Sequence, residues 1–359
     1  MTQYLPSIAA VALISFVITR ILIPVSHTVG LLDHPGQRKT HSGSIPLVGG
    51  IAIYLSVTLC SVVFLDLPEH FIGMALICGL VTLMGALDDR FPVHPVYRLI
   101  IQLMAGLSIA SIGNVSLENL GNLFSFGDVT LGLLAIPISA LGIAGLCNAY
   151  NMTDGIDGLA GSLALVAMIG LLSLTWNHAP ENEVALLTFF CAAITVFLLF
   201  NLTVRPFSST KIFMGDAGSM FIGMAIAIAM IYFSQSKREI INPVTTLWLV
   251  AIPMMDMVST MLRRILKRKS PFHADRTHLH HILMRAGMSQ QQALFCIISS
   301  AVFFAAIGIF LERIWPQDEA ISFGLFLVVF GLYFNFVVKH AWRFAVRLKK
   351  ASLLNKAKP

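Results

Sequence analysis

The sequence predicts an all-α polytopic membrane protein, and three observations carry that. Of its 359 residues, 57% are hydrophobic and only 12% are charged. Mean hydropathy is +0.81, far outside the range of a water-soluble domain. The apolar residues also gather into runs of helical length. These runs fall at about 5–25, 47–65, 71–87, 97–112, 129–147, 159–176, 184–202, 217–233, 244–262, 293–311 and 320–338, which makes about eleven transmembrane helices.

The first run has no Lys or Arg before it and no small-residue cleavage site, so it reads as a retained span ending near Arg20 and Pro24. The run at 97–112 is the weakest, being short and carrying Gln102. Pro253 inside the 244–262 run is expected to kink that helix. Gly and Pro cluster at the ends of the runs, as turn chemistry requires. With no internal repeat, residues 1–359 read as a single integral-membrane domain with a basic tail at 339–359. The five cysteines all lie in apolar runs, and an odd number of membrane-embedded thiols is no disulfide framework.

Orientation follows from the basic residues. Loops after the odd-numbered helices hold Arg38, Lys39, Arg90, Arg98, Arg205, Lys211 and the cluster from Arg263 to Arg285, and the tail adds seven more between Lys339 and Lys358. The opposite loops hold Lys237, Arg238 and Arg313. The positive-inside rule then puts the N-terminus in the periplasm and the C-terminus in the cytoplasm.

All the polar motifs fall on that cytoplasmic side. They are Asp33 to Gly50, Asp88-Asp89, the stretch from Asn148 to Gly158, Phe213 to Gly218, and His273 to His281. A transporter site belongs near the midplane, open to both faces, so the one-sidedness favours an enzyme over a transporter or flippase. Asp154 and Asp157 are three apart and share a face if they open a helix. Asn151 beside them is a neutral oxygen donor, or a helix cap. Asp88 and Asp89 repel each other at a helix C-terminus, where the dipole also disfavours negative charge. They call for a cation, or for a raised pKa that readies one as a base; Arg90 as a local partner is the plainer alternative. Asp216 suits an ordinary N-cap, and the local glycines and positive helix end suit a phosphate equally well. Phe213 is placed to stack on a base or to anchor the membrane interface. Arg276, His278, His280 and His281 suit phosphate oxygens better than zinc, because no cysteine accompanies them. Asp256, inside the 244–262 run, is a functional suspect by its depth, with Arg263 as a possible partner. Carboxylates, Asn oxygen and an Arg/His motif together suit a divalent cation on a diphosphate, hence phosphoryl transfer onto a lipid.

Taken in order, Asp88-Asp89-Arg90, Asn151 to Gly158, Phe213 to Ser219 and His278-Leu279-His280-His281 resemble the signatures of the polyprenyl-phosphate N-acetylhexosamine-1-phosphate transferases. The resemblance covers nearly the whole chain. Members that transfer a MurNAc-pentapeptide phosphate carry three consecutive histidines; here Leu279 interrupts the run, which is similar to members that use UDP-GlcNAc. The resemblance implies transfer of GlcNAc 1-phosphate from UDP-GlcNAc to undecaprenyl phosphate with release of UMP, at the bacterial inner membrane. Such a lipid begins O-antigen and enterobacterial common antigen synthesis. It further implies Mg²⁺, or Mn²⁺, held by Asn151 and Asp216. Asp88, Asp89 and Asp154 become the catalytic carboxylates. Asp157 faces the uracil and Phe213 stacks on it, while Arg276, His278, His280 and His281 bind diphosphate and sugar. Another UDP-N-acetylhexosamine remains an alternative donor. No nucleic-acid partner is expected, and a homo-oligomer is compatible with the sequence.

Overall fold

The computed structural model describes residues 4–34, 43–113, 115–205, 210–235, 240–271 and 277–337. The basic tail at 339–359 lies outside the described residues. The helices are α1 (Leu5–Val29), α2 (Gly49–Phe64), α3 (Glu69–Arg90), α4 (Pro95–Ile112), α5 (Ala135–Thr153), α6 (Leu159–Thr175), α7 (Glu181–Asn201), α8 (Gly215–Gln235), α9 (Pro243–Leu249), α10 (Ala251–Leu266), α11 (Leu279–Arg285), α12 (Gln290–Ile314) and α13 (Glu319–Asn335).

Every apolar run of the sequence is therefore helical, with the ninth divided between α9 and α10. Among the described residues, seven helices are long and apolar enough to cross a membrane, and α9 with α10 adds an eighth if the bent pair is one span. α2, α6 and α13 are apolar but shorter. The chain is a multi-pass membrane protein. Its outward faces carry exposed Leu13, Leu76, Leu80, Phe303 and Leu332, which a bilayer would cover.

Local chemistry sets several boundaries. Gly30 adopts φ +76° and closes α1, whose N-terminus carries a proline in its first two positions. α1 runs through Pro24 rather than stopping there, which corrects the sequence reading. Ser289 and Gln292 form a reciprocal capping box at the start of α12. Pro253 does not kink a continuous helix. The chain instead breaks by 84° between α9 and α10. The proline has no N–H, and its ring crowds the carbonyl four residues back, which is Leu249, the last residue of α9.

α8 is the centre of the packing, with 83% of its apolar window inside the protein. Small residues let its neighbours approach closely, as helices in lipid require. A Cβ on Gly50 of α2 would meet the Gly218 backbone at 1.9 Å, and one on Gly85 of α3 would meet Ala217 at 2.4 Å. One on Gly223 would lie 2.5 Å from the Leu146 carbonyl of α5. One element escapes the all-α expectation. Strands β1 (Leu32–Asp33) and β2 (Ile45–Pro46) pair antiparallel, Leu32 opposite Pro46 and Asp33 opposite Ile45. The Pro46 carbonyl then accepts the Phe213 N–H at 2.9 Å, and the N–H groups of Gly49 and Gly50 donate to the Phe213 and Met214 carbonyls. This tie holds the segment before α8 in place.

Candidate active site

A cleft of about 620 Å³ opens where the C-terminal ends of α3, α5 and α7 meet the start of α8. Its lining includes Asp88, Asp89, Asn151, Asp154, Asp157, Phe213 and Asp216. Seven of the residues singled out in the sequence, from three separate motifs, thus share one cavity.

Asp89 sits in the last turn of α3, yet it serves α8. Its two oxygens accept the backbone N–H groups of Asp216 (2.9 Å) and Ala217 (3.2 Å). These are orphan donors at a positive helix end, which a carboxylate satisfies well. Gly215 takes φ +72°, and a Cβ there would lie 2.4 Å from Asp89 Oδ2. The capping role considered for Asp216 therefore falls to Asp89, and the Asp216 side chain is left facing the cleft. Asp88 lines the same cleft but has different partners. Its Oδ1 accepts the Val93 N–H at 2.8 Å and its Oδ2 lies 2.6 Å from Arg98 Nη1. The same nitrogen is 3.1 Å from Asp216 Oδ2, so Arg98 bridges carboxylates of two helices. Both Asp88 oxygens are engaged, one by a backbone N–H and the other by Arg98. Arg90, the local partner considered for the pair, instead lies over the Phe91 ring.

Asn151 donates through its amide nitrogen to Asp216 Oδ1 (2.7 Å) and Ser219 Oγ (3.0 Å). Its oxygen is not used in those bonds. Asp154 and Asp157 do not open a helix. They lie in the turn between α5 and α6, and α6 begins only after Gly158 at φ +78°. Asn201 fixes that turn from α7, accepting the Gly158 N–H at 2.6 Å and donating to the Ile212 carbonyl at 2.8 Å. Asp154 is exposed on the cleft walls, its surface open to the cavity. Desolvation by those walls, then repulsion from Asp216 and Asp157, pushes its carboxyl up to about 7.

Lys211 pairs with Asp157 at 2.6 Å and stands 5.2 Å above the Phe213 ring. Neither Lys211 nor Arg98 was singled out for chemistry from the sequence, although Lys211 is two residues before Phe213 and Arg98 opens α4. Asp33 and Gln290 also reach the cleft, from β1 and α12.

The histidines stand apart. His278, His280 and His281 are not among the cleft-lining residues, and Arg276 lies outside the described residues. His280 is buried against the back of the Gly155 turn, where a Cβ on Gly155 would meet its Nε2 at 2.2 Å. Burial, then His281, lowers its pKa to about 3, so it is neutral. His278 Nδ1 is 2.8 Å from Asp256 Oδ2. The side chain paired with Asp256 is thus His278, from a distant loop, rather than Arg263.

Among the described residues no three His, Cys, Asp or Glu side chains are grouped as a metal cage, and Arg98 stands between Asp88 and Asp216. The surrounding donors are nevertheless carboxylate and amide oxygens, the set a hard divalent cation takes.

An all-helical membrane scaffold enclosing an acidic, oxygen-rich cleft defines a class of membrane enzyme acting on charged substrates, and comparison with known proteins makes that particular. The profile of glycosyl transferase family 4 matches residues 71–234. Three relatives, each an undecaprenyl-phosphate alpha-N-acetylglucosaminyl 1-phosphate transferase, align along most of their length. The Yersinia pestis protein is 36% identical over 327 residues, 91% of this chain and 89% of its own. The Escherichia coli O157:H7 protein is 38% identical over 91% of this chain and 88% of its own. The Pasteurella multocida protein is 36% identical over 89% of each. The chain belongs to glycosyl transferase family 4.

Proposed function

We propose that this protein transfers GlcNAc 1-phosphate from UDP-GlcNAc to undecaprenyl phosphate, giving undecaprenyl-diphospho-GlcNAc and UMP. The observation that carries the reading is the cleft itself. It joins carboxylates from α3, the α5–α6 turn and α8 to a Lys211–Phe213 pair suited to a nucleotide. The relatives named above support the same substrates.

In this reading an oxygen of the lipid phosphate attacks the sugar-bearing phosphorus of UDP-GlcNAc. The bridging P–O bond breaks, and UMP leaves with that oxygen. A phosphate anion is already a nucleophile, so the enzyme supplies position and charge neutralisation, and direct attack needs no aspartyl intermediate. Phe213 stacks on the uracil, with Asp157 and Lys211 at its edge. Arg98, held by Asp88, presents a cation to phosphate. Asp89 fixes the start of α8 and with it the Asp216 side chain. Mg²⁺, or Mn²⁺, fits the donors offered by Asp216 and the free Asn151 oxygen, and would neutralise the diphosphate. Asp154 flanks the sugar phosphate, and the histidine loop backs the turn that carries it.

The bias of basic residues supports a cleft at the cytoplasmic face and a periplasmic N-terminus, in a reading with eleven spans in the bacterial inner membrane. The lipid substrate then enters from the inner leaflet, as one integral-membrane domain allows.

The test is UMP release by purified protein given UDP-GlcNAc and undecaprenyl phosphate, with UDP-GalNAc as competitor. UMP formed with both substrates present is the expected result. Substrate movement across vesicles with no UMP would make the protein a transporter, and preference for UDP-GalNAc would change the sugar but keep the reaction.

A further inference from the structure

We propose that Asp256 is a positioning residue of the active site, acting through His278 on the turn that carries Asp154 and Asp157. The inference rests on the transfer reaction proposed above.

Asp256 lies in α10, only 2% exposed. A carboxylate kept there must be paired. Its partners come from two other parts of the chain. Oδ2 faces His278 Nδ1 at 2.8 Å, while Oδ1 accepts the Leu279 N–H at 2.9 Å and the Tyr333 hydroxyl at 3.0 Å. Leu279 is the first residue of α11, so Asp256 caps that helix from outside. His278 stands at the N-cap position with extended backbone, and its own side chain makes no cap hydrogen bond. One carboxylate therefore fixes both the start of α11 and the ring of His278.

The rest of the loop is built on that ring. His278 and His280 lie parallel, 6.1 Å apart with 6° between their planes, and His280 is 4.2 Å from His281. His280 Nε2 is buried, has no hydrogen-bond partner among the described residues, and abuts Gly155 so closely that no Cβ fits between them. Asp154 and Asp157 flank Gly155 and face the cleft. Packed side chains transmit such displacement because the interior is dense. A loosened His278 would let His280 shift, and the Gly155 turn would lose its backing. Asp256 is not among the cleft-lining residues, and its hydrogen bonds lead toward the turn through the histidine loop.

A mere anchor for α11 would stabilise the fold without coupling to His278 in turnover. A double-mutant cycle separates the two. UMP release is measured for the full-length protein, D256N, H278N and the double variant, with melting in detergent beside it. D256N is expected to lower kcat about 10-fold or more, the low end of what outer-shell partners do for site histidines. The double variant should match H278N within about twofold. Wild-type kcat in D256N, or losses that multiply in the double variant, would overturn the inference alone. If D256N does not fold, Y333F removes one hydrogen bond and keeps the charge. It should lose about 2- to 5-fold alone and nothing further beside H278N; an unchanged kcat for Y333F also overturns the inference. A wild type that forms no UMP overturns the transfer reading, and this inference with it.

Discussion

Asp89, in the last turn of α3, accepts the backbone N–H of Asp216 at 2.9 Å. Two helices far apart in sequence are thereby joined at the point where the proposed chemistry occurs. Asn at position 89 keeps one acceptor and turns an NH2 group toward the other N–H, so one of the two bonds at the start of α8 is lost. Asp89→Asn is expected to cost about 1 kcal/mol of stability and to lower UMP release as well. A melting curve in detergent checks the first; an unshifted midpoint would rule out the cap.

Arg98 bridges Asp88 and Asp216. Removing it leaves two carboxylates facing each other without a cation. Arg98→Ala should therefore melt lower than wild type in EDTA, and Mg²⁺ should raise its midpoint by more than it raises that of wild type. Equal Mg²⁺ shifts in the two proteins would place the ion elsewhere.

Asp216→Asn should reduce turnover by about 100-fold or more while the protein still inserts. Asp88→Asn should lower the rate and leave UDP-GlcNAc binding intact, because in the proposed reaction Asp88 holds Arg98 and not the donor. Titration calorimetry with UDP-GlcNAc decides this, and lost binding would give Asp88 a direct part in holding the donor.

The carboxyl of Asp154 is pushed up to about 7 from an ordinary 3.8, by desolvation first and then by Asp216 and Asp157. Between those values the native protein holds a proton that the unfolded chain has released. Its contribution to stability therefore falls as pH rises across that window. Melting followed from pH 5 to 8 should show this slope, and Asp154→Asn should flatten it. If the ionised form serves the reaction, UMP release in wild type rises through pH 7.

Gly155→Ala would bring a Cβ within 2.2 Å of His280 Nε2, and buried His280 has little room to yield. About 1–3 kcal/mol of stability should be lost, with a steep fall in kcat. Wild-type turnover in this variant would mean that the histidine loop can move without consequence.

The positions of the helices were legible because hydropathy is a local signal. Thus 159–176 in the sequence became Leu159–Thr175, and 97–112 became Pro95–Ile112. The acidic motifs were legible as well, since charges beside apolar runs stand out wherever they fall. Helix ends near proline were not. Pro24 passes through α1, whereas Pro253 moves a break back to Leu249, and which of these happens depends on packing around the helix. The short β1–β2 hairpin was equally hidden, because two-residue strands carry no period.

The sequence by itself determined that this is a helical membrane protein with its acidic motifs gathered at one end of its helices. Burial in lipid demands long apolar helices, and that demand is written residue by residue. Only the tertiary structure decided what each carboxylate does. Asp89 became a cap, Asp88 a partner of Arg98, Asp157 a partner of Lys211 and Asp256 the support of His278. Those pairings cross tens of residues of chain, and a charged group's role is set by whichever partner lies a few ångströms away in space.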